Sequence, residues 1–301
     1  EQQGHTIVDD PALADQVIVN TCAVTNQAAK DGRKLIREIN RSNAQAEIAV
    51  TGCYAQIAPD QISVLPGVTR VADNHQKETL VSQITGQPVQ PFDAEPHERD
   101  GLIGAMGRTR AFIKVQDGCD NTCTFCVTTV ARGEGRSRTI DEVVHEIRHL
   151  HGLGYQEMVL TGVHLGSYGH DWGDHDGLLH LVQAILADTD LPRLRLSSLE
   201  PWDLSEGFFD LWSDRRLCPH LHLPLQSGCD RTLRRMARNT NQAAFRALVD
   251  AARAAIPGLR ITSDVIVGFP GETDEEFAIS EAFIAEMAFG GLHVFRYSVR
   301  P

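Results

Sequence analysis

Apolar residues recur along this chain in two rhythms. Near the amino end, residues 16–20 (Gln16-Val17-Ile18-Val19-Asn20) and 47–51 (Glu47-Ile48-Ala49-Val50-Thr51) form short, β-branched runs with the look of buried parallel strands. A helical repeat fills residues 27–40 between them. Each run leads into a cysteine, Cys22 or Cys53. Loops at the carboxyl ends of parallel strands are where such sheets keep their sites, so both thiols fall at the expected functional edge. Residues 79–84 close this Rossmann-like α/β domain. Residues 86–108 hold three prolines, several glycines and scattered charge without periodicity, which predicts a linker. From residue 109 strands and helices alternate. Strands are expected at 111–116, 157–163, 193–198, 220–225, 261–267 and 292–297. Helices are expected at 141–153, 178–187, 204–211, 242–255 and 274–287, the last opened by a capping box in which Thr273 precedes Glu276 by three residues. Six βα repeats predict an open (β/α)6 barrel with its active face at the strands' carboxyl ends. The expected domains are 1–88, a linker 89–108, and 109–301.

Composition fits that picture. At 301 residues and 42% hydrophobic content, the chain can bury the core of two domains or one large barrel. No apolar run is long enough to span a bilayer and no charged-then-apolar leader opens the sequence, so no membrane partner is expected and the cytoplasm is the default compartment. The chain begins at Glu1 and stops at Pro301 directly after an apolar, strand-like run, which reads as a fragment. The formal net charge of -12, taken alone, argues against a polyanionic partner. Seven cysteines, three of them within eight residues, favour metal over disulfides.

Those three are Cys119, Cys123 and Cys126, a C-x3-C-x2-C run placed where the first barrel strand ends. Three thiolates on a short loop can hold three irons of a [4Fe-4S] cube and leave the fourth open to a small chelating molecule. A structural zinc site is the competing reading. It needs a fourth ligand, and no nearby His or Cys stands at finger-like spacing. Three further features are set aside. Gly268-Phe269-Pro270-Gly271 lacks the Gly-Lys-Ser/Thr ending of a phosphate loop and reads as a turn. The run from His170 to Asp176 is expected to be a solvated loop rather than a metal site, and Cys218 and Cys229 to be buried, inert thiols.

C-x3-C-x-aromatic-C after a first barrel strand resembles the signature of radical S-adenosylmethionine (SAM) enzymes. The wider chain resembles their methylthiotransferase family. Asn20-Thr21-Cys22-Ala23-Val24-Thr25 and Thr51-Gly52-Cys53-Tyr54-Ala55-Gln56 are similar to its N-terminal domain. Leu160-Thr161-Gly162-Val163-His164-Leu165-Gly166, Arg195-Leu196-Ser197-Ser198-Leu199-Glu200-Pro201, His222-Leu223-Pro224-Leu225-Gln226-Ser227-Gly228 and the segment Asp264 to Thr273 match its barrel motifs in order. The resemblance implies a radical SAM partial barrel in which Cys119, Cys123 and Cys126 hold the catalytic [4Fe-4S] cluster and SAM is cleaved by one electron. It also implies a second, auxiliary cluster on Cys22 and Cys53, whose third family ligand would precede Glu1, and a C-terminal RNA-binding TRAM domain beyond Pro301. SAM would be used twice, as methyl donor to a sulfur at the auxiliary cluster and as radical source for the substrate carbon.

The segment at 160–169 is most similar to the branch that thiomethylates carbon 2 of threonylcarbamoyladenosine beside the tRNA anticodon. The alternatives are the isopentenyladenosine branch, a ribosomal protein aspartate as substrate, or, from another class, a non-catalytic iron-sulfur protein for electron transfer or storage. Implied partners are tRNA, an electron donor such as flavodoxin or ferredoxin, and a sulfur source. Expected SAM contacts are Phe125, Gly162, His164, Ser197, Ser198, Gln226 and Asp264. Three have a plainer reading: Phe125 as an ordinary core aromatic, His164 as a core histidine bonded to a carbonyl, Asp264 as a structural carboxylate. Candidate RNA contacts are Arg132, Arg136, Arg138, Arg231, Arg234, Arg235 and Arg238, each weighed against a solvated ion pair.

Overall fold

The computed structural model describes residues 6–86 and 110–299, apart from 75, 78 and 206. The expected linker therefore lies outside the described residues. Those described fall into two compact units, one of residues 6–86, 125–133 and 298–299, the other of residues 110–124 and 134–297.

In the first unit the two apolar runs become strands β1 (Gln16–Thr21) and β2 (Glu47–Gly52), joined by helix α1 (Asn26–Ser42). Thr25 starts α1 because its hydroxyl accepts from Ala28 N–H, one of the orphan donors of the first turn. The helix buries Ala29, Ile36 and Ile39 in one cluster with Ile48 and Val50 of β2. Short helices α2 (Cys53–Ile57) and α3 (Pro59–Ser63) lead to β3 (Val68–Val71), and α4 (Leu80–Thr85) follows. The strands are parallel in the order β1-β2-β3. Thr21 locks two strand ends together: its hydroxyl donates to Thr51 O at 2.6 Å and accepts from Ala55 N at 3.1 Å.

The second unit begins with β4 (Arg110–Lys114) and the two-residue β5 (Gln116–Asp117). The chain then runs through the cysteine loop and α5 (Thr128–Arg132), which belongs to the first unit, before β6 (Arg136–Ser137) pairs back on β5. Regular alternation follows: α6 (Ile140–Gly152), β7 (Glu157–Thr161), α7 (Gly177–Asp188), β8 (Arg193–Leu196), β9 (His220–His222), α8 (Asp230–Arg235), α9 (Gln242–Ala255), β10 (Arg260–Val267), α10 (Asp274–Met287) and β11 (Gly291–Arg296). Two parallel sheets, β4-β7-β8 and β9-β10-β11, are joined by parallel bridges from Leu194 to Leu217 and from Ser198 to His222. Six parallel strands thus form the open barrel.

Burial alternates along β10. Ile261, Ser263 and Val265 are buried, while Thr262 and Asp264 stay half-exposed on the other face. Of these, Ile261 joins Phe245, Val249 and Ala252 of α9 and Phe283 and Met287 of α10 in the main core. Each large side chain so buried contributes about 1.5–3 kcal/mol. The polar set is left to line the barrel. At the amino ends of the strands Glu157 collects Arg110, Arg193 and Arg195 at 2.8, 3.1 and 2.9 Å.

Two expectations need correction. The helix expected at 204–211 is a 3-10 helix, Phe208–Ser213, because Gly207 takes a left-handed φ of 84° and interrupts the helical run. The fourth barrel strand ends at His222 rather than 225, since Pro224 has no N–H to give to a ladder. The capping boxes of α6 (Thr139, Glu142) and α10 (Thr273, Glu276) are both formed.

Candidate functional site

None of the seven cysteines, all of them among the described residues, forms a disulfide. In the second unit Cys119 and Cys123 follow β5, at the carboxyl side of the barrel. Buried Gln116 secures the start of this loop: its amide nitrogen donates to the carbonyls of Asp117 and Gly118, both at 3.0 Å, and its Oε1 accepts from His164 N at 2.9 Å. One side chain therefore pins the cysteine loop to the turn after β7. Thr124 anchors the far side, donating its N–H to Met236 O at 3.1 Å and its hydroxyl to Arg235 O at 2.8 Å.

Each of these two thiols faces a cation-forming group. His164 is buried, and its Nε2 lies 2.5 Å from Asp203 Oδ2. Burial alone would lower its pKa, but Asp203 and the Cys119 thiol outweigh it and push it up to about 10. His164 is thus paired to a carboxylate rather than to a main-chain carbonyl. Gly166 makes this possible, because a Cβ there would sit 2.6 Å from the Asp203 side chain. Arg238 lies 3.8 Å from Cys123 Sγ through Nη1, pairs with Glu200 at 2.5 Å, and covers the Trp202 ring at 4.5 Å. Desolvation opposes its charge, yet Glu200 and Cys123 raise its pKa further.

In the first unit Cys126 is exposed and its Sγ lies 3.0 Å from Thr128 Oγ1. Half-buried Phe125 precedes it. Cys22 and Cys53 stand one residue beyond the paired Thr21 and Gly52, at the carboxyl edge of adjacent strands. Asn74 Nδ2 lies 3.9 Å from Cys53 Sγ and donates to Ala131 O at 2.5 Å.

The remaining expected contacts lie at strand ends of the barrel, except Asp264, which lies within β10. Gly162 follows β7, where a Cβ would come within 3.0 Å of Gln116 Oε1. Ser197 donates its N–H to Leu160 O, and its buried hydroxyl has no hydrogen-bond partner among the described residues. Ser198 bridges to His222. Gln226 has a φ of 69°, costly for a residue with a side chain, and is held there by paired bonds to Asp264 O and from Ile266 N, both 2.8 Å. Asp264 is engaged by two histidines, His222 and His293.

Two of the candidate RNA arginines are corrected outright. Arg238 is 1% exposed and Arg138, paired to Glu146 at 2.6 Å, is 10% exposed, so neither can meet a phosphate. Arg235 is bound to Glu276. Arg231 and Arg234 are exposed. Sequence reading missed Gln116, Asp203 and the Arg238–Glu200–Trp202 group, whose partners lie up to 115 residues apart and carry no local signal.

The model of the radical SAM superfamily matches residues 113–284, and that of uncharacterized protein family UPF0004 matches residues 1–72. The threonylcarbamoyladenosine tRNA methylthiotransferase MtaB of Bacillus subtilis is 39% identical over all of this chain and 69% of its own length. This chain belongs to the radical SAM methylthiotransferases. The tRNA-2-methylthio-N(6)-dimethylallyladenosine synthase of Syntrophus aciditrophicus, at 32% identity, is covered over 68% of its length. A solved radical SAM methyltransferase, TsrM of Kitasatospora setae, superimposes with a TM-score of 0.70 at 18% identity over 93% of this chain and 61% of that one, which confirms the fold.

Membership of this family implies a [4Fe-4S] cluster and SAM, and the donor chemistry fits. Two half-buried thiols, Cys119 and Cys123, follow β5 in the barrel unit and stand beside the cation-forming side chains of His164 and Arg238, as a thiolate-bound cluster requires. Ser197's unpartnered hydroxyl leaves a polar group for a ligand such as SAM. Among the described residues, no helix is long and apolar enough to cross a membrane.

Proposed function

We propose that this enzyme transfers a methylthio group to carbon 2 of threonylcarbamoyladenosine in tRNA. The observation that carries the reading is the 39% identity, over all of this chain and 69% of the relative, to an enzyme of that name, against 32% to one named for dimethylallyladenosine. In this reading Cys119, Cys123 and Cys126 hold the catalytic cluster, and Cys22 and Cys53 supply two ligands of an auxiliary one. When bound, the catalytic cluster supplies the electron that cleaves SAM and so permits hydrogen removal from an unactivated sp2 carbon, which no general base can deprotonate.

The chain's own residues prepare that step. Gln116 fixes the cysteine loop against β7, and Arg238 balances charge at Cys123 while Glu200 and Trp202 hold it in place. His164, clamped by Asp203, keeps a fixed orientation beside Cys119. Gly162, His164, Ser197, Ser198, Gln226 and Phe125 serve SAM: Gly162 by admitting close approach, Ser197 through its free hydroxyl, Gln226 through a side chain presented from a strained backbone. Asp264 takes a different role, described below. Exposed Arg231 and Arg234, with Arg132 and Arg136, meet RNA phosphates; a tRNA substrate makes the cytoplasm the place of work. The domain division at 1–88, 89–108 and 109–301 is part of the same proposal, as are a flavodoxin- or ferredoxin-type electron donor and a sulfur source.

The test is nucleoside mass analysis of tRNA from cells with and without the gene, joined to anaerobic reconstitution with SAM and reductant. Loss of methylthiolated threonylcarbamoyladenosine and release of 5'-deoxyadenosine are expected. Loss of the dimethylallyl product instead would overturn the substrate. Iron binding without 5'-deoxyadenosine release would point to electron transfer or storage.

A further inference from the structure

A His-Asp-His cluster on the polar face of β9, β10 and β11 has no part in the scheme above. Asp264, in mid-β10, is the ladder partner of His293 on β11, and His222 closes β9 beside it. The Asp264 carboxylate is shared: Oδ2 lies 3.2 Å from His222 Nε2 and Oδ1 lies 3.0 Å from His293 Nδ1. His222 is held from behind, with Nδ1 2.9 Å from Thr262 Oγ1. The imidazoles sit 5.8 Å apart, tilted by 37°.

Exposure rises across the group. The His222 side chain is 10% exposed, Asp264 23% and His293 70%. Every polar atom of the three has a partner within the cluster or from Thr262 except His293 Nε2, which makes no hydrogen bond among the described residues. Three strands and a half-buried carboxylate thus orient one imidazole so that a single nitrogen faces open space. β11 ends the strand order β11-β10-β9, so a ligand can reach this edge.

We infer that His293, oriented by Asp264 and His222, hydrogen-bonds the polar N6 substituent of the target adenosine and selects a threonylcarbamoyl group over an apolar dimethylallyl one. This rests on the function proposed above. With Nδ1 fixed on a carboxylate, Nε2 serves in either protonation state: neutral, it accepts from the substituent's hydroxyl or ureido N–H; protonated, it donates to its carboxylate. A dimethylallyl group answers neither, and seating it leaves a desolvated imidazole nitrogen unpaired. Sites built to hydrogen-bond a polar substituent discriminate far more steeply than apolar pockets for this reason. Asp264 is a positioning residue. Burial opposes its ionisation, but the two imidazoles hold its carboxyl below the usual range, so it remains a charged acceptor. The three residues' ligand atoms lie within 4.8 Å of one another, so a metal ion is the rival occupant. Hydrogen bonding is favoured because each carboxylate oxygen is already matched to a different imidazole at hydrogen-bond distance.

The experiment compares reconstituted wild-type, His293→Leu, His293→Gln and Asp264→Asn proteins on anticodon-arm RNA hairpins carrying either nucleoside. Iron content and thermal melting serve as folding controls. His293→Leu should lose at least about tenfold in kcat/KM on the threonylcarbamoyl hairpin, mainly through KM, and its preference over the dimethylallyl hairpin should fall by a similar factor. His293→Gln should recover most of that loss, and Asp264→Asn should lower affinity for the same hairpin in direct binding. Equal losses on both hairpins would overturn the inference and leave the functional reading standing. So would a stoichiometric ion, beyond cluster iron, that disappears in His293→Leu. A wild-type protein that prefers the dimethylallyl hairpin would sink both.

Discussion

At the residue scale, the site is a set of side chains whose partners decide their chemistry. Cys123→Ala should remove the catalytic cluster, read as lost visible absorption and lost SAM cleavage in anaerobically reconstituted protein. Cys22→Ala should lower iron per chain by the auxiliary share only and leave reductive SAM cleavage in place; unchanged iron would exclude a cluster at Cys22. Gln226 separates strain from function. Replacing it by glycine relieves a backbone conformation costing about 1 kcal/mol or more, but adds chain entropy of about 0.5–1 kcal/mol to the unfolded state. Gln226→Gly should therefore keep its unfolding free energy within about 1 kcal/mol of wild type, while SAM affinity, measured by calorimetry, falls at least about tenfold. Unaltered SAM affinity would reduce Gln226 to a turn residue.

At the element scale, helices are set by local chemistry and then recruited. α10 begins where Thr273 Oγ1 accepts from Glu276 N–H at 3.2 Å and Glu276 returns to Thr273 N–H at 3.4 Å. Glu276 also binds Arg235 of α8, so this cap ties two elements together. Thr273→Ala should cost about 1 kcal/mol in denaturant unfolding without changing the m-value. α8, with six residues, is too short to show a periodic signature and depends on such tertiary bonds.

At the scale of the whole molecule, the barrel closes its amino end with one carboxylate among three arginines. Burial of Glu157 opposes ionisation, but hydrogen bonds from Arg195 and Arg193 and the charge of Arg110 hold its pKa below 4.5. A depressed carboxylate pKa adds stability that is complete above the unfolded value and is lost as pH falls through the folded one. Glu157→Gln should thus cost about 2–3 kcal/mol near neutral pH, where three guanidinium groups lose their anion. Wild-type and variant stabilities should converge below pH 4.5 in urea titrations. Parallel curves down to acid would show that the arginines are held by something else.

The sequence by itself determined the longer elements and pointed to the cluster chemistry. Periodicity placed β1, β2, α1, α9 and α10 within two residues, because a strand or helix facing one core must repeat its apolar positions at a fixed spacing. Three thiols on one loop needed only their spacing to suggest iron. Tertiary structure alone decided which polar groups meet. His164 and Asp203 are 39 residues apart, Arg238 and Glu200 are 38, and His293 and Asp264 are 29. It also showed that Arg138 and Arg238, which look in sequence like any basic residue, are buried partners of carboxylates. A polar side chain in a closed barrel is assigned by the neighbour that satisfies it, and parallel strands bring that neighbour from a distant part of the chain.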